Sequence, residues 1–154
     1  MKSVIAVNWL CLPFDELSCS QLHGLLVLRQ QVFILEQQCF YADADALDPV
    51  AFHLLGTDSS GRIVATARLI PPGLRYPEVT IGRVATDIEV REQGVGQALM
   101  EQILSWAEYL FSGISIKISA QTRLIDFYSR LGFSVIGQPY DDEGIEHIDM
   151  LLAK

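Results

Sequence analysis

The stretch Arg91-Glu92-Gln93-Gly94-Val95-Gly96 lies between a strand predicted over residues 79–90 and an amphipathic helix predicted over residues 94–111. Glycines at such a junction let a ligand approach the backbone closely. The N–H groups in the first turn of a helix lack partners within the helix, so they bind anions. The sequence therefore predicts a phosphate or pyrophosphate site made by the backbone N–H groups of residues 91–96, with the Arg91 side chain as a local cation.

The spacing R-x-x-G-x-G narrows the kind of ligand. A dinucleotide fingerprint needs a third glycine three residues after the second, and Leu99 occupies that position. A P-loop needs G-x-x-x-x-G-K-[ST], and no lysine lies between Lys2 and Lys117. These exclusions leave the pyrophosphate loop of acyl-CoA-dependent acetyltransferases.

Length and hydropathy predict one globular domain. The chain has 154 residues, and we expect residues 1–154 to share a single core. Half of the residues are hydrophobic, yet no apolar run approaches the roughly 20 residues of a membrane-spanning helix. The amino terminus lacks the apolar stretch of a signal peptide. A cytoplasmic protein without a membrane partner is expected.

The net charge and the spacing of the cysteines indicate which partners and metals to expect. The formal net charge of −8 argues against nucleic acid, which is held mainly by clustered Lys and Arg. Three irregularly spaced cysteines give no metal-binding pattern, and no metal is expected. Acidic residues would either attract a cationic amine or form a solvated surface. They lie at Asp43, Asp45 and Asp48, and at Asp141, Asp142, Glu143, Glu146 and Asp149.

Hydrophobic periodicity and turn residues predict the order β-α-β-β-β-α-β-α-β-β, a mixed α/β (α+β) fold. The first helix begins at Ser18 or Ser20, and its apolar stripe contains Arg29 and Glu36, which should therefore point toward the core or a cleft. Gly132 closes the third helix. The predicted strands cover residues 4–9, 51–57, 63–70, 79–90, 114–119, 133–136 and 145–152, and the helices cover 18–38, 94–111 and 122–131.

This order, with R-x-x-G-x-G after the fourth strand, resembles the GCN5-related N-acetyltransferase (GNAT) family. The ElaA-like subfamily is similar in more detail, over residues 28–37 (LRQQVFILEQ), 51–54 (AFHL), 82–84 (GRV), 120–121 (AQ), 127–128 (FY) and 140–150. Glu146 replaces the proline expected before His147. The resemblance implies a mixed central sheet of about seven strands flanked by helices, and it allows a homodimer without fixing an interface.

The resemblance also implies where the substrates bind. Acetyl-CoA would be the co-substrate, and an amine would accept the acetyl group directly from the thioester. The pantetheine arm would bond like an added strand along Val84, Ala85 and Thr86, with an N–H group facing the thioester oxygen. Gln121 and Phe127 belong to the same donor site. Arg83 and His147 would lie on the acceptor side.

Three side chains are candidates for proton transfer. Tyr128 shares an apolar stripe with Phe127, and a phenol with a pKa of about 10 can protonate the departing thiolate; otherwise it is a packed aromatic bonded to a carbonyl. Glu36 is the leading base, because a carboxylate on an apolar face must be paired, hydrated or raised in pKa. Its alternative is an ion pair with Arg68 or Arg83. His53 is the third candidate, although isolated histidines are more often structural.

Other mechanisms fit less well. No cysteine has a neighbouring base in sequence, and no G-x-S-x-G motif is present, which disfavours covalent acyl-enzyme chemistry. A non-catalytic module that binds acyl-CoA as a sensor or docks on a protein would keep the glycine loop and dispense with Tyr128 and a base. The tyrosine at position 128 favours the enzyme.

Overall fold

A computed structural model describes residues 5–154. Strands and helices follow one another in the predicted order. They are β1 (Asn8–Pro13), α1 (Cys19–Arg29), β2 (Phe52–Thr57), β3 (Ile63–Ile70), β4 (Val79–Thr86), α2 (Val95–Leu110), β5 (Ile116–Gln121), α3 (Ile125–Arg130), β6 (Ser134–Asp142) and β7 (Ile145–Leu152). No helix among these residues has the length and apolarity needed to cross a bilayer.

The seven strands form one mixed sheet in the order β1-β2-β3-β4-β5-β7-β6. All neighbouring strands are antiparallel except β4 and β5, which run parallel. That parallel pair is short, since only Val79 opposite Ile116 and Thr80 opposite Lys117 are in register. Beyond Thr80 the two strands separate, and the sheet opens into a gap in its centre.

Two buried clusters cover the sheet. Alternate residues of β3, Ala65, Ala67 and Leu69, pack with the apolar face of α2, as the alternation of side chains along a strand requires. A smaller cluster joins Leu28, Val32 and Phe33 of the first helical region to Ala85 of β4. The gap between β4 and β5 therefore lies between helices that are fixed by packing.

The first helix begins where the sequence predicts. Ser18 is its N-cap and forms a capping box with Gln21, because the Gln21 N–H donates to the Ser18 hydroxyl at 3.0 Å and the Ser18 N–H donates to the Gln21 side chain at 2.9 Å. After Arg29 the helix widens into a π-helical segment, Gln30–Glu36. The predicted spacing of 100° per residue therefore fails before Glu36.

Several strand boundaries differ from the prediction. The first strand was predicted from residue 4, which lies outside the described residues, and it continues to Pro13 because an edge strand tolerates a missing N–H. The fourth strand ends at Thr86, before a 3₁₀ turn, Ile88–Val90. Strand β6 extends well beyond residue 136, because a bulge between Ile136 and Tyr140 absorbs the glycine and proline there.

Candidate active site

A cavity of about 570 Å³ opens where β4 and β5 separate. Its walls come from the π-helical segment, from β4 and β5, from α3 and from the turn between β6 and β7. Most predicted site residues line it, namely Arg83, Val84, Ala85, Thr86, Arg91, Gly96, Gln121, Phe127, Tyr128, Glu36 and His147. One continuous space therefore joins the glycine turn to the buried tyrosine.

Strand β4 presents an unpaired edge to this cavity. Thr66 of β3 lies opposite Ala85, but Arg68 lies opposite Gly82, so β4 contains one extra residue. This is a β-bulge, and Arg83 adopts a positive φ of 49° within it. Because β5 pairs only with the first half of β4, the β5-facing edge of residues 82–86 has no strand partner, as binding of an extended ligand requires.

The glycine turn is shaped as an anion site. Gly94 is the N-cap of α2 with a left-handed φ of 79°, and the bond from the Ala98 N–H to the Gly94 carbonyl begins the helical ladder. The N–H groups of Glu92, Gln93 and Gly94 donate to no acceptor within residues 5–154. A Cβ placed on Gly96 would meet no atom within 4 Å, so that wall of the cavity is open.

Not every residue of the turn faces the main cavity. Gln93, Gly94 and Val95 line a separate hollow of about 180 Å³ beside Trp9. Among the residues of the turn, the main cavity is lined by Arg91 and Gly96. The turn therefore reaches the main cavity with Gly96, in the first turn of α2, and with the cationic Arg91 side chain.

The Arg91 side chain is held by two partners. Its Nη1 and Nη2 donate to both carboxylate oxygens of Glu36, the second at 3.0 Å, and its Nε and Nη2 donate to the Thr86 carbonyl at 3.2 and 2.8 Å. Both charged side chains are about one third exposed, at 33% and 32%. The predicted pairing of Glu36 with Arg68 or Arg83 is wrong, because the wider π-helical turn carries Glu36 to the glycine turn instead.

Tyr128 lies in an aromatic setting at the cavity wall. Its ring packs edge-on against Phe127 and Phe133, with centroids 5.1 and 6.0 Å away. The residue lines the cavity and is 7% exposed. Burial raises the pKa of Tyr128 to about 12. The phenol is therefore neutral at pH 7 and has a proton to give.

Both residues predicted on the acceptor side, Arg83 and His147, line the cavity. The His147 Nδ1 is 2.8 Å from the Ile145 carbonyl, and its ring stacks on Tyr140. The Arg83 guanidinium lies 5.3 Å over the Tyr41 ring. Asp142 and Glu143, at the β6–β7 turn, line the same cavity. Polar and aromatic side chains therefore contribute to its wall.

His53 lies elsewhere. It is 1% exposed on β2, its Nε2 is 2.9 Å from the Asp48 carbonyl, and its ring packs against Phe14. Burial lowers the pKa of His53 below its ordinary value of 6.5. The structure does not bring this imidazole into the wall of the cavity that holds Tyr128.

The first acidic stretch is not a solvated surface, since Asp43 and Asp48 are buried and the Asp45 side chain is 30% exposed. Asp43, Asp45 and Asp48 instead join three arginines in the arginine–aspartate cluster (Arg29, Asp43, Asp45, Asp48, Arg68 and Arg83). Arg29 is 1% exposed and bonds Asp43 and Asp48, each at 2.8 Å. Because Arg83 pairs with Asp43 at 2.8 Å, the cluster anchors the β4 bulge. Only the inward placement of Arg29 signalled this in the sequence.

Comparison with known proteins identifies the family. The sequence profile of the acetyltransferase (GNAT) domain matches residues 28–154. The chain belongs to the GNAT family. Its ElaA-like relatives include Protein ElaA of Escherichia coli K12, 36% identical over 94% of this chain and 95% of ElaA. A UPF0039 protein of Synechocystis is 41% identical over 94% of both chains.

Solved structures agree with this assignment to the GNAT family. An acyl-CoA N-acyltransferase from Pseudomonas aeruginosa superposes with a TM-score of 0.92 at 37% identity, over 96% of this chain and 100% of that chain. Escherichia coli ElaA gives a TM-score of 0.89 at 35% identity, over 95% and 99%. The present chain is thus a GNAT acyltransferase of the ElaA-like type, and a CoA thioester is its co-substrate.

Proposed function

We infer that the protein transfers an acetyl group from acetyl-CoA to a primary amine of a small molecule or peptide. The observation that carries this proposal is the single cavity that joins the start of α2, the unpaired edge of β4 and the Tyr128 hydroxyl. Acetyl-CoA carries a diphosphate, then an extended arm with amide groups, and then a thioester. These three parts follow one another in the same order as the three cavity features that would bind them.

The donor would be held mostly by the main chain. Its diphosphate would accept hydrogen bonds from the N–H groups of residues 92–96, and its arm would run along Val84, Ala85 and Thr86. An N–H group of this stretch would polarise the thioester carbonyl and stabilise the negative charge that develops on its oxygen. Gln121 and Phe127 would form the β5 and α3 side of the same channel.

The transfer itself would need no covalent enzyme intermediate. The neutral amine nitrogen attacks the thioester carbon, a C–N bond forms, and the C–S bond breaks. Tyr128 gives its proton to the departing thiolate. The attacking nitrogen loses a proton to Glu36 or to water, and Arg83 and His147 orient the acceptor from the opposite wall.

A thiol-release assay tests the function. Full-length protein is incubated with acetyl-CoA and, one at a time, with polyamines, amino sugars, aminoglycosides, amino acids and peptides with free amino termini. We expect free CoA and an acetylated amine, identified by mass spectrometry, with at least one acceptor class. CoA binding without release on any amine would favour an acyl-CoA sensor, and absence of CoA binding would refute the proposed donor site.

Gly96→Ala is the matched variant for the donor site. The added methyl meets no protein atom, and alanine is a better helix former than glycine by about 1 kcal/mol, so the fold should be as stable as before. The methyl would nevertheless stand in the wall where the diphosphate approaches. We expect weaker CoA binding with an undiminished melting temperature. Unchanged CoA affinity would move the donor away from this turn.

A further inference from the structure

The Arg91 guanidinium donates hydrogen bonds to two groups, and both lie in the wall of the cavity. Glu36 takes a bidentate pair of bonds, and the Thr86 carbonyl takes two more. Arg91 is also the first residue of the turn whose free N–H groups would hold the donor diphosphate. A carboxylate of the protein itself therefore neutralises the cation of this turn.

Both of Arg91's partners stand where the donor would bind. The Thr86 carbonyl lies at the end of the β4 edge, and an amide of the pantetheine arm could donate to it in place of Arg91. A diphosphate on the turn carries more negative charge than one carboxylate and would compete with Glu36 for the guanidinium. Ion pairs exposed to this degree typically favour the paired state by about fivefold or less, so exchange is feasible.

We propose that acyl-CoA displaces Glu36 from Arg91, and that the released carboxylate then binds the ammonium group of the acceptor. This inference rests on the proposed function. Glu36 lines the cavity at the end of the π-helical segment, so its carboxylate stays in the cavity wall once Arg91 turns to the diphosphate. Donor binding thus creates the acceptor site, and the acceptor binds second.

A purely structural brace would behave in the opposite way. If Glu36 only held Arg91 and the turn in place for the donor, removing its charge would weaken CoA binding. In the exchange, Glu36 competes with CoA, so removing its charge strengthens CoA binding. The sign of one affinity change therefore separates the two roles.

The experiment is a titration of CoA into the full chain by calorimetry, with four variants. Glu36→Gln should bind CoA about two- to fivefold more tightly than the parent protein. Arg91→Gln should bind it more weakly. In the double variant the gain from Glu36→Gln should vanish, because no guanidinium remains for the two anions to share.

Glu89→Gln is the control for a general loss of negative charge near the turn. Glu89 is exposed, pairs with Arg62 and does not touch Arg91. Removing the Glu89 charge should change the CoA affinity by less than Glu36→Gln does. The change in affinity should be the same whether or not Arg91 is present. Thermal melts confirm that each variant is folded.

Three results would overturn the exchange. These are weaker CoA binding by Glu36→Gln, a gain that persists without Arg91, and a gain that Glu89→Gln reproduces. Failure of the parent protein to bind CoA would instead refute the proposed function, so the two failures are distinguishable. With an acceptor identified, Glu36→Gln should also raise its KM by about tenfold or more, because the ammonium group loses its anion.

Discussion

Burial keeps the Tyr128 phenol protonated, since it raises the pKa of this group to about 12. A proton donor of this kind acts on the leaving thiolate and contributes little to binding of the ground state. We expect Tyr128→Phe to lower kcat by about 10²-fold or more and to leave the Kd of CoA within about twofold. Steady-state kinetics and CoA titration measure the two quantities.

The pH dependence provides a second check on Tyr128. Because its pKa is about 12, the parent enzyme should show no loss of turnover from this group on the alkaline side up to about pH 10. Unchanged turnover in Tyr128→Phe would remove the phenol from the mechanism. The packing should survive the substitution, because phenylalanine keeps the ring that contacts Phe127 and Phe133.

Single residues were predictable where the signal was local. Ser18, Gly94 and Gly132 show their roles through the turn or cap that their own neighbours form. The partner of Glu36 was not predictable, because Arg91 is 55 residues away in sequence and the contact depends on the π-helical segment that contains Glu36. The burial of His53 was also not predictable, because its Nε2 contacts the Asp48 carbonyl and no sequence pattern indicates that contact.

At the scale of elements, the arginine–aspartate cluster connects α1, the loop after it, β3 and β4. Burial alone would raise the pKa of Asp48, but hydrogen bonds from Arg29 and Arg68 and the charge of Arg29 outweigh it and lower the pKa from 3.8 to about 2. The ionised form therefore stabilises the fold above about pH 4, by roughly 2 kcal/mol, and this contribution is lost as the pH falls toward 2.

Asp48→Asn tests this contribution. At pH 7 it leaves two buried guanidinium groups short of a counter-charge, so we expect the free energy of unfolding to fall by about 3 kcal/mol. Urea denaturation at several pH values should show the difference from the parent protein shrinking below about pH 4. Asp15→Asn makes the same chemical change at an exposed site and should have little effect. A difference that is constant with pH would contradict the assignment.

The elements themselves were largely predictable, and their ends were not. Alternation and turn residues predicted the hairpin of β2 and β3 almost to the residue. Strand β6 was predicted too short, because Gly137 and Pro139 favour a turn locally and the bulge that keeps them in the sheet depends on pairing with β7. Pairing partners distant in sequence decided each of the misplaced boundaries.

At the scale of the whole molecule, two residue pairs join the halves of the sheet, β1–β4 and β5–β7. A donor in the gap would form hydrogen bonds with β4 and pack against β5. It would thereby connect the two halves of the sheet where the strands do not pair. We expect CoA to slow hydrogen exchange in peptides covering residues 82–97 and 116–121. At 100 times its Kd, CoA would suppress openings that release it by up to about 100-fold.

Residues 52–57 are the internal control for this experiment. They pair on both sides, with β1 and β3, and lie outside the cavity, so local opening there should respond little to CoA. Mass spectrometry of quenched, digested protein resolves these segments. Equal protection of all three, or no protection of residues 116–121, would mean that the donor does not bridge the gap.

The cavity wall includes two kinds of groups. Residues 84–86 of β4 have an unpaired main-chain edge, which substitutions alter only indirectly, whereas Arg75, Asp142 and Glu143 are charged side chains in the same wall. Mutation can therefore change the choice of acceptor while the donor site stays intact. As such chains diverge in sequence, we expect the donor to stay the same. The identity of the acceptor would be the property that changes first among the descendants.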